Sequence, residues 1–541
     1  MFGNDFLIMA KKSRGKKKKG DKESQEKQAK FTRKLNVEVF KKSFYSLIKS
    51  LNDPLNIILL GILVFSLVIR LKYLSLHTIW MDEARYALIS LGLLKHPLHY
   101  GGLKLYGNEI TRYPPLLPYL LFLSQKILGK GDFAVHIVNP IIGMLSVLAV
   151  YFIAKEMFSK EVGLIAAFLT ATAPYDIFFS ERVLLDLPHM FFFSLTILSF
   201  YLWWEKDKSW AKYTFSLFFV LGLLTKQPEM LAGIVVLAYI LIFYKLDWLK
   251  DKKRLKEIGL VIISFLIFIA PWSIRNFKVC GSPFCSVNFA FKWFSGTEKH
   301  GGVDVVKNPF YYLEMLPWIW NQWVFIAAIL GMIYMFTRKD KRKEFGLLFI
   351  WIAVVLLVFS NTPVKVPRYV IATVPPAIVF ASYFVWEASN QVVERRETAM
   401  ILALIITLFL GYSSLSQGIA MVKMHSHDFE LMILAGKYFA KMPSNVAIMS
   451  SSPPIISYYG NDKFVVHFPN KESEFEEYLK KYNISYVVID HYERTEPSWV
   501  WSYVPEQKYL IPVKEYFMFY RGQRVPMVII YKVNKTMLKT E

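Results

Sequence analysis

The stretch LNIILLGILVFSLVIRL, Leu55–Leu71, is followed within ten residues by IWMDEARYALISLGLL, Ile79–Leu94. The first segment is apolar over a length that crosses a bilayer as an α-helix. The second carries Asp82 and Glu83 side by side just past that span. Acidic groups are costly near hydrocarbon, so this pair is either a solvated flank or a functional site. The rest of the chain decides between the two.

Apolar runs of similar length recur along the 541 residues, of which 54% are hydrophobic. A soluble protein of this size would have shorter runs, so we predict a polytopic α-helical membrane protein with about eleven spans. The ten that follow the first are expected near 132–154, 161–178, 186–204, 211–224, 228–245, 257–271, 318–336, 345–360, 369–387 and 398–415. Residues 82–131 are amphipathic and interrupted by TRYPPLLPY, which indicates interfacial helices.

The formal net charge of +23 raises the question of nucleic-acid binding. The distribution of the charge argues against it, because basic clusters such as KLDWLKDKKRLKE and TRKDKRKEF fall in short gaps between spans. That is the positive-inside pattern, in which the neighbour is anionic lipid and no nucleic-acid partner is needed. It places the N terminus in the cytoplasm and the C terminus outside a cell membrane.

Three parts of the chain differ in composition. Residues 1–54 form a basic cytoplasmic tail that we expect to be largely disordered. Residues 55–415 hold the spans. Residues 416–541 alternate helical segments such as KESEFEEYLKKYN with strand segments such as SYVVID and VPMVIIYKV, which predicts an external α/β domain.

Cys280 and Cys285 lie in the predicted external loop, within VCGSPFC. The Gly-Ser-Pro between them forms turns readily, so the two thiols could reach disulfide distance. The alternative is two unrelated small residues. Histidines at the spacing of a zinc site are missing, so no metal site is predicted here.

Polar residues gather at the predicted outer ends of the spans. A single Lys or Arg there usually snorkels to the interface, but a cluster on one side makes a site more probable than interfacial anchoring alone. The members are Asp82, Glu83, Arg85, Arg112, Tyr113, Glu181, Arg182, Asp186, Lys226, Gln227, Arg275, Asn276, Lys365, Arg368 and Tyr369.

Carboxylates and cations at an outer interface suit one chemistry in particular. A carboxylate can take a proton from an acceptor hydroxyl, and cations can stabilise a departing phosphate. The sequence contains neither a P-loop nor a convincing nucleotide fingerprint. A polyprenyl-phosphate-linked sugar would bring the phosphate to the right depth, with a protein, lipid or glycan as acceptor. Asp82 and Asp186 could also hold a divalent cation, although nothing in the sequence requires a cofactor.

Six motifs in this order resemble the protein O-mannosyltransferase and aminoarabinose-lipid A transferase superfamily of C-type membrane glycosyltransferases. They are DEARYA, RYPPLLPY, ERVLLDLPHMFF, LLTKQPEM, PWSIRNFKVCGSP and KVPRYVIATVPP, within roughly residues 55–390. The resemblance implies the C-type glycosyltransferase fold, with 55–415 as the transmembrane glycosyltransferase domain. It implies an inverting transfer of a hexose or pentose from a lipid phosphate.

The resemblance also assigns roles to residues. It implies that Asp82 is the catalytic acidic residue of the first external loop, with Glu83 beside it and Asp186 as the later acidic residue. It implies substrate or phosphate contacts for Arg112, Tyr113, Arg182, Lys226, Arg275, Arg368 and Tyr369. In the family a Lys directly precedes the Pro-Pro pair, whereas here Tyr113 intervenes after Arg112.

Two rival functions remain. An oligosaccharyltransferase also has an acidic first loop, but its Trp-Trp-Asp-Tyr-Gly signature is missing from the sequence. A lipid or solute transporter could use the same charges as a binding site. Transporters often show internal repeats and broken helices near the midplane. No repeat is evident here, and the charges lie at span ends.

Overall fold

The computed structural model describes residues 53–74, 78–97, 113–285, 287–288, 292, 306–492, 497–520 and 522–539. The chain divides into two compact units, Met1–Gly61 and Ile62–Glu541. The described residues of the first unit are 53–61, which include the start of the first helix. The second unit contains the rest of that helix and all later helices and strands.

The described chain is helical up to residue 424. In chain order the helices are α1 (Pro54–Lys72), α2 (Met81–Lys95), α3 (Leu116–Leu128), α4 (Asp132–His136), α5 (Val138–Met157), α6 (Lys160–Thr172), α7 (Pro174–Ser180), α8 (Asp186–Trp204), α9 (Ala211–Leu223), α10 (Met230–Tyr244), α11 (Lys252–Cys280), α12 (Tyr311–Ile319), α13 (Gln322–Met335), α14 (Arg342–Ser360), α15 (Val374–Val392) and α16 (Arg396–Met424). Short 3-10 turns at Gln227–Glu229, Lys339–Lys341 and Pro367–Thr373 lead into α10, α14 and α15.

Eight segments of the described chain are long and apolar enough to cross a membrane. Two bent helix pairs raise that number to as many as ten. The pair α6–α7 bends by 53° at Pro174, which has no N–H to continue the helix, and α12–α13 bends by 112°. Each predicted span coincides with one of these segments, except that 211–224 is the short helix α9. The predicted polytopic helical class is confirmed.

Two short helices occupy the described part of the segment that the sequence predicts to be interfacial. α2 and α3 cover 15 and 13 residues, too short for spans by the same criterion. The start of α2 is capped by Glu83, whose carboxylate accepts a hydrogen bond from the backbone N–H of Trp80 at 2.6 Å. The acidic pair therefore lies in the first turn of a helix.

A buried ion pair ties the end of α1 to α7. The Arg70 guanidinium contacts the Asp176 carboxylate, and both side chains are buried. Arg70 also donates to Ser180 Oγ at 2.9 Å and to Ser66 Oγ at 2.6 Å. Removing one partner of such a pair leaves an uncompensated charge, so this cluster holds α1 against the broken pair α6–α7.

After α16 the chain forms an α/β part. Its helices are α17 (Glu430–Ala440), α18 (Pro453–Tyr459), α19 (Phe475–Lys481) and α20 (Val500–Tyr503), and its strands are β1 (Ala447–Ser450), β2 (Phe464–Val466), β3 (Tyr486–Asp490), β4 (Leu510–Tyr520) and β5 (Gln523–Val533). The sheet order is β2-β1-β3-β5-β4, parallel between β2, β1 and β3 and antiparallel onward. Sequence reasoning missed β4, whose side chains are mostly exposed.

The α/β part packs on the helix that carries the acidic pair. α18 lies against α2, and Lys95 pairs with Asp462 at 2.5 Å. Tyr458 and Tyr459 donate hydrogen bonds to the two oxygens of Asp132, at 3.1 and 3.2 Å. The preceding helix α16 continues to Met424, so residue 416, the predicted start of this part, lies inside a helix.

The two cysteines meet at the end of α11. Gly281 adopts a left-handed conformation with φ of 73°, which ends the helix at Cys280. The turn brings Cys285 back, and the structure pairs the two residues as a disulfide with a Cα–Cα distance of 6.6 Å.

Candidate active site

Helix geometry separates the two neighbouring carboxylates. Successive helical residues point about 100° apart, so Asp82 and Glu83 cannot face the same way. The Asp82 side chain is 40% exposed, whereas that of Glu83 is fully buried. Only Asp82 can meet a substrate directly.

Asp82 lies between two arginines. Its Oδ1 accepts a hydrogen bond from Arg85 Nη1 at 3.0 Å, one turn along α2. Its Oδ2 lies 3.5 Å from Nη2 of Arg368, which belongs to the turn Pro367–Thr373 before α15. Two cations therefore flank the carboxylate that could accept a proton from a hydroxyl.

Arg368 joins Asp82 to a second carboxylate. Its Nη1 lies 4.0 Å from Oδ2 of Asp186, the first residue of α8. Lys226 Nζ lies 2.6 Å from Oδ1 of the same Asp186. The side chains of Arg368 and Lys226 stay 26% and 16% exposed, whereas Asp186 is 3% exposed. Asp186 thus holds two cations whose outer faces stay open to an anion.

Glu83 instead joins two loops. Its Oε1 accepts a hydrogen bond from the Val183 backbone N–H at 2.8 Å, and its Oε2 caps α2 at Trp80. The Arg182 guanidinium lies 4.0 Å from Glu83 and 3.8 Å above the Trp80 ring. Burial lowers the pKa of Arg182 to about 10, against the opposing charge of Glu83. These contacts favour positioning roles for Glu83 and Arg182.

Aromatic residues surround the charged cluster. The rings of Tyr86 and Tyr113 meet edge to face with centroids 5.9 Å apart, and Arg85 lies over Tyr113 at 5.4 Å. Burial, and next the Asp82 charge, raise the pKa of Tyr86. Lys226 lies over the Tyr369 ring at 5.4 Å. The rings partly desolvate the cluster, which strengthens its electrostatics.

Two of the predicted site residues are not placed in this cluster. Arg112 lies outside the described residues. Arg275, near the end of α11, donates to Asn276 Oδ1 at 3.0 Å and lies over the Trp272 ring at 4.8 Å. These contacts of Arg275 are thus with residues of its own helix, α11. It also interacts electrostatically with Tyr119 of α3.

Sequence reasoning missed a polar pair close to Asp186 and Lys226. His189 Nε2 lies 3.6 Å from Oε2 of Glu229, and Glu229 Oε1 accepts a hydrogen bond from Thr196 at 2.9 Å. Both side chains are buried. Each follows a site residue by three positions, which is one helical turn. An ionisable residue at the edge of an apolar span is the signal that could have found them.

The carboxylates considered for a divalent cation face basic groups. Asp82 contacts Arg85 and Arg368, and Asp186 contacts Lys226 and Arg368. In the described part of the chain no group of three or more His, Cys, Asp or Glu side chains could hold a metal ion.

Sequence comparisons identify transferases among the relatives. A family model described as dolichyl-phosphate-mannose-protein mannosyltransferase matches residues 112–274. An undecaprenyl phosphate-alpha-4-amino-4-deoxy-L-arabinose arabinosyl transferase of Erwinia tasmaniensis is 26% identical over 347 residues. The match covers 59% of this chain and 58% of the relative, so the chain spans less than two thirds of that protein's length.

Solved structures share the architecture. ArnT from Cupriavidus metallidurans, bound to undecaprenyl phosphate, superposes with a TM-score of 0.61 at 14% identity, covering 87% of this chain and 97% of ArnT. The oligosaccharyltransferase AglB from Archaeoglobus fulgidus, in complex with an inhibitory peptide and a dolichol-phosphate, gives 0.57 at 15% identity, covering 86% and 74%. At this identity the likeness concerns the fold.

Proposed function

We propose that this chain, which has the fold of the C-type membrane glycosyltransferases, transfers a sugar from a polyprenyl phosphate to an acceptor hydroxyl. The comparisons confirm the expected superfamily and fold class. The relatives named above are glycosyltransferases whose names or bound ligands include a polyprenyl phosphate. None of these relatives is a transporter, and nothing in the comparisons supports that alternative.

One observation carries the proposal: the half-exposed Asp82 carboxylate lies next to Arg368, which reaches the Asp186–Lys226 pair. A base and two open cations therefore occupy one surface. The distance from Asp82 to Arg368 leaves the carboxylate oxygen free to turn to a hydroxyl, since 3.5 Å is a weak hydrogen bond.

The reaction balances as a single displacement with inversion. The acceptor oxygen forms a bond to the anomeric carbon while its proton moves to Asp82. The bond from the anomeric carbon to the phosphate oxygen breaks, and the polyprenyl phosphate leaves with the electron pair. Arg368 and Lys226 stabilise the charge that develops on that phosphate. Asp186 keeps both cations in place, and Tyr369 and Tyr113 wall the cluster.

The orientation belongs to the same proposal. Basic residues concentrate in the turns before α11 and α14 and in the chain before α1, which favours the cytoplasm for that side. The site and the α/β part that packs on α2 then face outward. The acceptor is a hydroxyl of a protein, a lipid or a glycan.

Reconstitution tests the proposal directly. The purified chain in proteoliposomes receives a radiolabelled sugar on a polyprenyl phosphate, with a crude envelope fraction as acceptor. Label should leave the lipid and enter an acid-stable product. Movement of intact labelled lipid between leaflets without transfer would instead identify a transporter, and parallel assays with labelled nucleotide sugar exclude a soluble donor.

A further inference from the structure

The hairpin formed by β4 and β5 extends beyond the rest of the sheet. β3 pairs with β5 only as far as Asp490 opposite Val528, with one further hydrogen bond from His491 to Met527. β4 and β5 continue to pair through Phe519 opposite Arg524. The end of this hairpin is a two-stranded ribbon, and such a ribbon is marginally stable in water by itself.

The direction of the ribbon follows from the antiparallel register. β3 ends toward Tyr492, whose ring lies 5.1 Å from that of Phe429. Phe429 follows the end of the membrane helix α16 by five residues. Because β5 runs opposite to β3, its residues before Val528 continue past the end of β3 that lies near α16. At about 3.3 Å per residue, the paired ribbon reaches roughly 10–15 Å further.

Apolar side chains occur on both faces of the ribbon. Phe517, Phe519 and Pro526 share one face, since paired and alternate residues point the same way, and Met518 and Val525 share the other. Phe519 is 77% exposed and Met518 is 44% exposed. An exposed apolar edge strand invites aggregation unless a partner or a lipid surface covers it.

A cation accompanies these side chains. The Arg524 guanidinium lies 3.6 Å above the Phe517 ring. Aromatic rings with an arginine beside them are typical of the membrane interface, where the ring reaches the acyl boundary and the cation meets lipid phosphates. The combination fits a bilayer better than a protein partner, because the ribbon points toward the membrane end of the α/β part.

We propose that the tip of the β4–β5 hairpin inserts into the phospholipid interface of the bilayer that α16 crosses. The tip is defined here as Phe517–Phe519 with Arg524–Pro526. Its insertion gives the α/β part a second attachment beside α16. This inference depends on the position of the hairpin and not on the proposed transfer reaction, so each can fail without the other.

Depth-dependent fluorescence quenching tests the insertion. Phe519→Cys, carrying an environment-sensitive fluorophore, is compared in nanodiscs with Ile511→Cys on the same strand. Ile511 is 47% exposed and lies beyond the part of β4 that forms the tip. Wild-type protein labelled in parallel gives the background. Nitroxide-bearing lipids should quench the fluorescence of the label at 519 roughly twofold or more strongly than that of the label at 511. Aqueous iodide should quench the label at 511 more strongly than the label at 519.

Two outcomes overturn the proposal. If iodide quenches both labels equally, the tip lies in water. If the label at 519 is shielded from iodide and also from the lipid nitroxides, the tip is covered by protein, either another part of this chain or a second copy. Both labelled proteins should elute as the same species on size exclusion, which separates a folding defect from either result.

Discussion

The Glu83 carboxylate accepts a hydrogen bond from the backbone N–H of Val183 at 2.8 Å, and both residues are buried. The two belong to motifs 100 residues apart in sequence. This bond joins the start of α2, which carries Asp82, to the loop that leads into α8, which begins with Asp186. Glu83 therefore sets the distance between the proposed base and the residue that orients the proposed phosphate-binding cations.

Replacing Glu83 should reduce stability more than chemistry. Glu83→Ala removes the acceptor of the buried Val183 N–H, which we expect to cost roughly 1–3 kcal/mol. Glu83→Gln retains one acceptor oxygen and should be milder. The measurement is the melting temperature in detergent, with kcat determined on folded protein. A Gln variant that melts like wild type but loses a hundredfold in transfer would make Glu83 catalytic.

Asp82→Asn should lower transfer by at least about a hundredfold with little change in melting temperature. The amide keeps the shape but cannot accept the hydroxyl proton in the transition state, a contribution of about 10²–10⁴-fold. Asp462→Asn serves as the control, because Asp462 is 48% exposed and its carboxylate pairs with a basic residue, Lys95. Wild-type turnover by Asp82→Asn would transfer the catalytic role to Asp186 or Glu83.

Arg368→Ala should cost roughly 2–4 kcal/mol of transition-state stabilisation, measured as the fall in kcat/KM, because the leaving phosphate loses a cation. Arg338→Ala is the control. Arg338 pairs with Asp340 and with Glu387. Glu387 lies in the C-terminal half of α15, whereas Arg368 precedes the N-terminus of that helix. Arg368→Lys should restore part of the rate. Equal kcat/KM for Arg368→Ala and wild type would show that Arg368 does not stabilise the leaving phosphate and is only an interfacial anchor.

Glu181 predicts a pH dependence of stability. Burial raises the pKa of Glu181 to about 8, and both of its oxygens are buried without a hydrogen-bond partner among the described residues. The folded state therefore keeps a proton that the unfolded chain releases near pH 4.5, the ordinary pKa of a glutamate. Stability should fall as pH rises between those values, by up to roughly 1.4 kcal/mol per pH unit.

Glu181→Gln should remove this decline. The variant cannot ionise, so its melting temperature should exceed that of wild type increasingly from pH 5 to pH 8. Glu314→Gln, a change at a surface glutamate bonded to Asn308, should keep the wild-type slope. If the melting temperatures of wild type and Glu181→Gln change equally with pH over this range, Glu181 is ionised in the folded protein.

The membrane orientation can be tested by thiol labelling. An impermeant maleimide on intact cells should miss Lys252→Cys, at the start of α11, and react with Lys471→Cys in the α/β part, as the positive-inside pattern predicts. Disrupted cells should label both, which controls for accessibility. The reverse pattern on intact cells would place the candidate site in the cytoplasm.

The apolar runs predicted most helices because burial in lipid requires both length and hydrophobicity, and both are local in sequence. The position of α8, Asp186–Trp204, follows from that pattern alone. The bends at Pro174 and between α12 and α13 depend on packing as well as on proline, so the number of spans did not follow from sequence. The sequence pattern did not predict β4, because its mostly exposed side chains show no clear alternation of apolar and polar residues.

The sequence by itself determined the fold class and brought Asp82, Asp186, Lys226, Arg368 and Tyr369 forward as candidates, because charges at span ends are conspicuous. Tertiary structure alone decided which of two adjacent carboxylates is open. It also placed Arg368 between Asp82 and Asp186, and paired Glu229 with His189. Such contacts join residues far apart in the chain, and their distances depend on how helices pack, a property that no local sequence pattern contains.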